Sequence, residues 1–145
     1  ATAYRITGSN ETALDASQEI FIKVYSELKH FKFRSKFSTW IYRISVNLSI
    51  NKRNEMKRRL HHLNPDEDVE ITSRDSTADE RIQNAINRLS DPLKIVVILR
   101  YFENLSYEEI SEILDIQIGT VKSRLNNSHA EMKLLLMRIQ TTHYP

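Results

Sequence analysis

Polar and basic side chains that could contact DNA cluster in one short stretch of this 145-residue chain. They lie in the first turn and a half of a predicted helix that begins near residue 118. Val121 and Leu125 would form the inward, apolar face of that helix. The outward residues are Thr120, Lys122, Ser123 and Arg124. Hydroxyl and guanidinium groups at the start of a helix can bind base edges and phosphates in the major groove, so this spacing indicates DNA recognition.

The segment just before this helix predicts the other half of a helix-turn-helix. Ser106 can cap a helix, and Glu109, three residues later, can reach back to the Ser106 amide as in a capping box. Ile110, Ile113 and Leu114 then recur at helical spacing and define one buried face. The pattern breaks directly afterwards. Two helices joined by a tight turn are therefore expected from 106 to 125.

Composition predicts an all-α protein. The chain has only 2 Gly and 3 Pro, which leaves few of the tight turns that an all-β fold needs. It has no Cys, so it contains neither disulfides nor thiolate metal ligands, as is usual for intracellular proteins. No apolar run approaches the roughly 20 residues that span a membrane. We therefore expect a cytoplasmic protein.

Catalytic and metal-binding patterns are missing from the sequence. The histidines are scattered apart from the adjacent His61 and His62, and no His-Cys or HxxxH pairing exists. Two isolated glycines cannot form a phosphate-binding loop. The sequence therefore predicts no enzymatic activity, no metal and no cofactor.

Charge divides the chain into three parts. Residues 1–60 hold 12 Lys and Arg against 5 Asp and Glu, residues 61–80 hold 1 against 7, and residues 81–145 hold 8 against 7. We therefore predict two small helical domains, 1–60 and 78–145, joined by a flexible acidic linker at 61–77. The basic domain favours a polyanionic partner. The acidic residues of the linker are Asp66, Glu67, Asp68, Glu70 and Asp75.

Apolar periodicity predicts two long helices in the first domain. The second of them carries an apolar stripe of Phe37, Trp40, Ile41, Ile44 and Leu48. Two helices with wide apolar faces do not close a core well, so we expect one or two helices upstream of this sequence. The predicted helices are about Leu14–Phe31, Ser38 or Thr39 to Arg59, Asp79–Leu89, Asp91–Phe102 with Asp91 as its cap, Ser106–Leu114 and Ile118–Ile139.

Three blocks together resemble the extracytoplasmic-function sigma factors of the sigma-70 family. They are residues 15–21 (DASQEIF), residues 37–47 (FSTWIYRISVN) and residues 119–124 (GTVKSR) within the helix-turn-helix. The resemblance covers nearly the whole chain except the family's N-terminal part. It implies a transcription initiation factor that binds bacterial RNA polymerase core, recognises the −35 and −10 promoter elements and assists DNA opening. It also implies an anti-sigma factor as a partner and a role in stress response.

The resemblance assigns three groups of site residues. The residues expected to bind polymerase are Asp15, Gln18, Glu19 and Ile22 on the first long helix. Those expected to bind the −10 element are Lys32, Phe33, Arg34, Ser35, Lys36, Arg43, Asn47 and Asn51. Those expected to bind the −35 element are Gly119, Thr120, Lys122, Ser123, Arg124 and Asn127. Each group also has an ordinary interpretation as a solvated helix face or loop.

Some residues differ from the pattern of the family, and the roles of others have more than one interpretation. Asn126, Asn127 and His129 occupy positions that are often basic in relatives, so the −35 sequence preference does not carry over. Trp40 is interpreted as a core residue rather than a wedge that melts DNA. The basic end of the second helix would follow phosphates; its residues are Lys52, Arg53, Lys57, Arg58 and Arg59.

Two other classes of protein fit parts of the sequence. A helix-turn-helix regulator that binds duplex DNA without a sigma role would leave the first 60 residues unexplained. A helical RNA-binding or structural protein would explain the basic domain but not the capped helix-turn-helix. Copurification with polymerase core would discriminate these classes from a sigma factor.

Overall fold

The described part of the protein is built of helices. A computed structural model describes residues 2–63 and 77–141, with side chains described as far as residue 138. These residues contain no strand, which confirms the all-α prediction. The helices are α1 (Thr2–Thr7), α2 (Asn10–Glu27), α3 (Phe37–Leu63), α4 (Ala78–Arg88), α5 (Asp91–Val97), α6 (Tyr107–Leu114) and α7 (Ile118–Thr141). A 3₁₀ turn at Leu28–His30 follows α2, and a π-helical turn at Ile98–Phe102 extends α5.

Helices α1, α2 and α3 pack through small side chains. Ala3, Ala13 and Ala16 are buried together, and a methyl side chain lets helix backbones approach closely. Gly8 joins α1 to α2 with a φ of 73°, a left-handed conformation that glycine adopts without strain. Ser9 then caps α2 by accepting a hydrogen bond from the Thr12 amide at 3.4 Å. These local features start α2 at residue 10, four residues before the predicted start.

Helices α4 to α7 enclose most of the larger apolar core. The start of α4 is fixed by a capping box between Thr77 and Glu80, and the start of α6 by one between Ser106 and Glu109. In the second box the Glu109 amide donates to Ser106 Oγ at 3.1 Å, and the Ser106 amide donates to Glu109 Oε1 at 3.1 Å. Its bonds to Ser106 lower the pKa of the Glu109 carboxyl. The capping box predicted from sequence is therefore confirmed.

The larger core does not stop at the boundary between α3 and α4. Ile6 of α1 and Val46 of α3 are almost completely buried in the same cluster as the residues of α4 to α7. The other buried members are Ile86, Leu89, Ile95, Val96, Val97, Ile98, Leu99, Leu105, Ile110, Ile113, Val121 and Leu125. The two halves of the chain thus share one apolar core in this arrangement.

Several predicted helix boundaries are wrong by a few residues. Helix α1 was not predicted, because six residues are too few to show a periodic pattern. Helix α3 begins at Phe37, so neither Ser38 nor Thr39 caps it, and it continues to Leu63 instead of ending at Arg59. The N-cap of α5 is Ser90 rather than Asp91. The acidic residues predicted for the linker fall at 66–75, outside the described residues.

The buried face of α3 also differs from the predicted apolar stripe. Its fully buried side chains are Thr39, Val46, Ser49 and Arg53. The predicted stripe is only partly buried, and Phe37 is 46% exposed. The completely buried set thus contains one apolar side chain, Val46, beside two hydroxyl side chains and the paired Arg53. At about 3.6 residues per turn, the buried set lies on nearly the opposite side of α3 from the predicted stripe, so hydrophobic spacing alone misplaced this face.

Candidate nucleic-acid interface

Helices α6 and α7 form the predicted helix-turn-helix. Asp115 ends α6 in a left-handed conformation, with φ 53° and ψ 50°. The Ile116 amide donates to the Ser111 carbonyl at 3.1 Å, and Ser111 Oγ donates to the Ile116 carbonyl at 2.5 Å. Helix α7 starts two residues later at Ile118. The predicted break near residues 115 and 116 is confirmed, and its conformation is fixed by hydrogen bonds from α6.

The first two turns of α7 are anchored by its inner face. Val121 and Leu125 are 0% and 2% exposed, as the sequence predicted. Ser128 is also fully buried, and its hydroxyl donates to the Leu93 carbonyl at 3.2 Å or the Arg124 carbonyl at 2.7 Å. These contacts fix the rotation of α7 about its axis, so its opposite face is held toward solvent.

The residues predicted to bind −35 DNA share that outer face. Thr120 and Arg124 are partly buried at its edge. The exposed members are Gly119, Lys122, Ser123 and Asn127. Apart from its two chain neighbours and the adjacent backbone of α7, a Cβ atom added to Gly119 would meet no atom within 4 Å. Packing within the chain therefore gives no reason for glycine there, and the first turn of α7 is open to a ligand.

A contact near this face was not predicted from the sequence. The Tyr101 hydroxyl lies 2.6 Å from Nε2 of His129, and the two rings are 5.5 Å apart. Tyr101 is 51% exposed, and His129, Asn126 and Asn127 are exposed as well. The two partners are 28 residues apart, so no local pattern could pair them. Hydroxyl, imidazole and amide groups thus replace the positive charges expected on this side of α7.

The basic loop predicted to bind −10 DNA lies between α2 and α3. Lys32, Arg34 and Lys36 are exposed, and Ser35 is partly buried. Phe33 is 85% exposed and has a φ of 57°, a left-handed conformation that costs a non-glycine residue energy. The structure therefore holds an aromatic ring in water among three cations.

Four aromatic rings form a cluster at the base of this loop. The ring of Phe31 lies 4.8 Å from Phe33, 5.5 Å from Phe37 and 5.1 Å from Trp40. Trp40 is partly buried and belongs to this surface cluster rather than to the main core. The prediction that Trp40 lies in the core is therefore wrong, because the residue packs in this cluster at the surface. Sequence periodicity could not separate a buried core from an aromatic cluster at the surface.

Arg43, Asn47 and Asn51 do not form one continuous exposed stripe. Arg43 donates from Nε at 3.1 Å and from Nη2 at 2.5 Å to the carbonyl of Glu112 in α6. Asn47 is exposed but lines a cleft of about 460 Å³ together with Arg43 and residues 113–115 of the helix-turn-helix. Asn51 is exposed. Only Asn51 therefore lies outside the contact between α3 and α6.

The residues predicted to bind polymerase share one exposed side of α2. Asp15, Gln18 and Glu19 are exposed, and Ile22 is 68% exposed. Glu19 pairs with Lys52 of α3 at 2.5 Å, and this hydrogen bond raises the pKa of Lys52. Their neighbours Phe21, at 76%, and Tyr25, at 85%, are also exposed and were not predicted from the sequence. The exposed surface of α2 is thus more apolar than the predicted residues suggest.

The basic end of α3 does not form the continuous phosphate track that was predicted. Arg53 is buried and donates to the Asp91 carboxylate of α5. Lys52 pairs with Glu19, and Arg59 pairs with Glu55 at 2.7 Å. Lys57 and Arg58 are exposed. The prediction is wrong for Arg53 in this arrangement, because its guanidinium is turned into the contact between α3 and α5.

Lys94 is the largest fully buried side chain and lies close to the Arg53–Asp91 pair. Its ammonium nitrogen is 3.5 Å from the Asn87 carbonyl. Burial, followed by the positive charge of Arg53, lowers the pKa of Lys94 to about 7, while Asp91 opposes the shift and Lys57 adds to it. The surroundings of Lys94 therefore disfavour the positive charge of its ammonium group.

Nowhere in 2–63 or 77–141 do three or more His, Cys, Asp or Glu side chains converge in a way that suits a metal ion. None of the helices in these ranges is both long and apolar enough to cross a bilayer. Taken together, the fold and its exposed faces define a helix-turn-helix DNA-binding protein.

Comparison with known proteins identifies the family. Residues 1–59 match Sigma-70 region 2, and residues 79–128 match Sigma-70, region 4. The chain is 33% identical to the ECF RNA polymerase sigma factor SigW of Bacillus subtilis, over 90% of this chain and 78% of that protein. It is 34% identical to the ECF RNA polymerase sigma-E factor of Haemophilus influenzae, over 77% and 67% respectively.

Two solved structures have the same fold. The first is the sigma factor RpoE of Bartonella quintana in complex with the anti-sigma factor NepR, with a TM-score of 0.71, 24% identity, and coverage of 94% of this chain and 88% of that one. The second is CnrH in complex with the cytosolic domain of CnrY, with a TM-score of 0.70, 19% identity, and coverage of 94% and 79%. At these identities the likeness shows the fold.

The chain belongs to the extracytoplasmic-function sigma factors of the sigma-70 family. It is a transcription initiation factor that binds RNA polymerase and recognises promoter DNA. The prediction of the family is therefore confirmed, and the interpretation as a regulator without a sigma role is not favoured.

Proposed function

We propose that three separate surfaces of the chain divide the work of promoter recognition. The outer face of α7 binds the −35 element, the basic loop with α3 binds the −10 element, and α2 binds polymerase. The observation that carries this proposal is the fixed rotation of α7, in which Val121 and Leu125 are buried and Lys122 is exposed. We also propose that the chain divides into domains 1–60 and 78–145 with a linker at 61–77.

At the −35 element, the first turns of α7 would enter the major groove. Arg124 suits a bidentate contact with a guanine, because its guanidinium carries paired donors in a plane. Lys122 and Ser123 directly precede Arg124 and are exposed, so they can reach a phosphate or a second base. The open space at Gly119 lets the DNA backbone approach α7 closely.

At the −10 element, the loop at 32–36 would bind an unpaired strand. Single-stranded DNA is held by cations along its backbone and by aromatic rings that stack on its bases. Phe33 supplies an exposed ring, and Lys32 and Arg34 flank it in the sequence. Arg43, Asn47 and Asn51 of α3 would contact adjacent nucleotides through amide and guanidinium donors.

Polymerase would bind the exposed side of α2. Asp15, Gln18, Glu19 and Ile22 provide polar groups beside an apolar anchor, and Phe21 adds a second anchor. Large exposed apolar side chains with a polar rim are typical of protein interfaces. Because polymerase and promoters are cytoplasmic, we place the protein in the cytoplasm.

We further propose an anti-sigma factor as a partner. RpoE, whose fold is similar, was solved in complex with the anti-sigma factor NepR. A linker between the two proposed domains would allow α1–α3 and α4–α7 to change their relative position when such a partner binds or leaves.

Run-off transcription tests the proposed function. Polymerase core, the protein and a promoter found by sequencing transcripts after overexpression are combined, and the specific transcript is measured. Lys122→Ala should reduce initiation, whereas Lys133→Ala, which removes an exposed lysine from a later turn of α7, should leave it unchanged. Specific duplex binding by the chain alone, with no transcript when core is added, would favour the regulator instead.

A further inference from the structure

A hydrogen-bonded pair at one edge of α7 has no role in the −35 contacts described so far. The Tyr101 hydroxyl of the π-helical turn lies 2.6 Å from Nε2 of His129, and both side chains are exposed. The other ring nitrogen of His129, Nδ1, has no hydrogen-bond partner among the described residues. The pair therefore keeps hydrogen-bonding capacity for a group that comes from outside the chain.

The position of His129 on α7 suits a contact with the DNA backbone. His129 follows Lys122 by seven residues, almost two full turns, so both lie on one side of the helix about 10 Å apart along its axis. That side is a flank, between the buried face of Val121, Leu125 and Ser128 and the centre of the outer face. The major groove is about 12 Å wide and a helix with its side chains is about 10–12 Å across. The flanks of a docked helix therefore meet phosphates.

The hydrogens on the pair determine what it can offer to a phosphate. In the neutral pair the hydroxyl and the imidazole carry one polar hydrogen each, and one of these lies in the bond between them. One outward donor then remains, whichever tautomer is present. When His129 binds a proton, Nε2–H donates to the Tyr101 oxygen, and both Nδ1–H and the Tyr101 O–H can donate outward. Charge-assisted hydrogen bonds to phosphate are roughly twice as strong as neutral ones.

No carboxylate of the protein occupies this place within the described residues. On α7 itself, Lys122 and Lys133 are exposed on the same side as His129, whereas Glu131 projects from nearly the opposite side. The titratable groups of the other elements packed against α7 are Asp79, Glu80, Arg81 and Arg88 of α4, Asp91 and Lys94 of α5, Arg100 of the π-helical turn, and Tyr107, Glu108, Glu109 and Glu112 of α6. In the described ranges none of them bonds to His129. A DNA phosphate can therefore act as the anionic partner of the pair.

We propose that Tyr101 and His129 bind a phosphate of the −35 duplex, and that protonation of His129 strengthens this contact. The inference rests on the proposed −35 role of α7. Histidine changes its charge between about pH 5 and 8. The neighbouring Asn126 and Asn127 stay neutral, so among these three side chains only His129 can gain a positive charge. The chain thus binds −35 DNA more tightly at mildly acidic pH.

Binding of the chain to a fluorescent duplex that carries the −35 element of the run-off promoter tests the contact. Fluorescence anisotropy at fixed salt should show roughly tenfold tighter binding by wild type at pH 6 than at pH 8. His129→Gln should remove most of this difference and change the affinity at pH 8 by less than about twofold. His129→Arg should bind at pH 8 as wild type does at pH 6, because arginine keeps its charge at both values.

Tyr101→Phe separates the phosphate contact from packing between α5 and α7. It removes the hydroxyl and keeps the ring, whose centre lies 5.5 Å from that of His129. The pH effect should fall to about threefold, because one charge-assisted donor is lost while His129 still gains its charge. His30→Gln, which changes an exposed histidine outside α4–α7, is the matched control and should keep the full effect. Thermal unfolding at both pH values checks that each variant is folded.

Salt titrations and a second duplex identify the ligand. In wild type, one further neutralised phosphate should steepen the slope of log K against log salt by about 0.9 from pH 8 to pH 6, and His129→Gln should show no such change. Equal pH dependence in folded His129→Gln and wild type overturns the phosphate contact and leaves the −35 role of α7 intact. Equal binding of −35 and scrambled duplexes overturns that role instead. A pH effect that His129→Gln removes on both duplexes still supports the phosphate contact.

Discussion

The outer face of α7 and the side of α3 proposed to bind DNA carry similar chemistry but have opposite accessibility. Both offer basic and amide side chains at helical spacing. In the first turns of α7, Gly119 and Lys122 are exposed to solvent. On α3, Arg43 is bonded to α6 and Asn47 lies in a cleft. The difference teaches that a DNA-binding pattern in sequence identifies a surface but does not establish that the surface is free.

Replacement of Lys94 should have the largest effect, because this fully buried residue of α5 lies beside the Arg53–Asp91 pair that joins α3 to α5. Between pH 7 and 10.5 the folded protein binds fewer protons at Lys94 than the unfolded chain, so folding stability from this group rises with pH across that window. Lys94→Met should stabilise the protein at pH 6 by on the order of a few kcal/mol, since each pKa unit corresponds to about 1.4 kcal/mol.

Chemical denaturation from pH 6 to 10 measures this effect. The advantage of Lys94→Met should shrink as pH rises, because wild type loses its buried charge over that range. Lys133→Met removes a positive charge from an exposed position and serves as the control. A constant difference between Lys94→Met and wild type at every pH would contradict the interpretation of Lys94 as a buried, titrating amine.

Arg124→Ala tests the accessible face of α7. Loss of a bidentate base contact should weaken binding to the −35 duplex by about 1–3 kcal/mol and relax preference at one base position. Titration of wild-type and mutant duplexes measures both quantities at fixed salt. Lys133→Ala is again the control on the same helix. Equal binding by Arg124→Ala and wild type would reject the assigned role.

Phe33→Ala tests the part of the proposed −10 surface that lies in the loop between α2 and α3, away from the contact of Arg43 with α6. The ring is 85% exposed, so its removal should change stability little, while loss of stacking should weaken single-strand binding by about 1–3 kcal/mol. Fluorescence anisotropy with the −10 single strand provides the measurement. Leu60→Ala, which shortens an exposed apolar side chain at the other end of α3, is the matched control. Similar losses in both variants would argue against stacking on Phe33.

Gly119→Ala should have the smallest effect on the fold and separates packing from DNA contact. The new methyl group meets no atom beyond its chain neighbours and the adjacent backbone of α7, and alanine favours a helix over glycine by up to about 1 kcal/mol. Thermal unfolding should therefore show unchanged or slightly raised stability. Binding to the −35 duplex should fall if a phosphate approaches this turn. Unchanged DNA binding would show that the glycine is not needed for close approach.

Local signals predicted much of the helix-turn-helix. The Ser106–Glu109 capping box and the break after Leu114 involve residues that are close in sequence, and both were confirmed. Predictions from sequence were wrong where contacts between residues far apart in sequence decide where a side chain lies. Trp40 packs in an aromatic cluster that includes Phe31. An apolar stripe has the same sequence pattern whether its residues pack in the core or in a cluster at the surface. The roles of individual residues in DNA and polymerase binding stay predictions.

The sequence by itself determined the helical class, the helix-turn-helix and its inward face, because capping, turn geometry and periodicity act over a few residues. Only the tertiary structure decided which polar groups are free. Arg53 meets Asp91 from 38 residues away, and Arg43 meets Glu112 from 69 residues away. Each side chain alone resembles an exposed DNA-binding cation. Its partner is chosen by how whole helices pack, since burial makes an unpaired charge costly and hydrogen bonds form only where two surfaces meet.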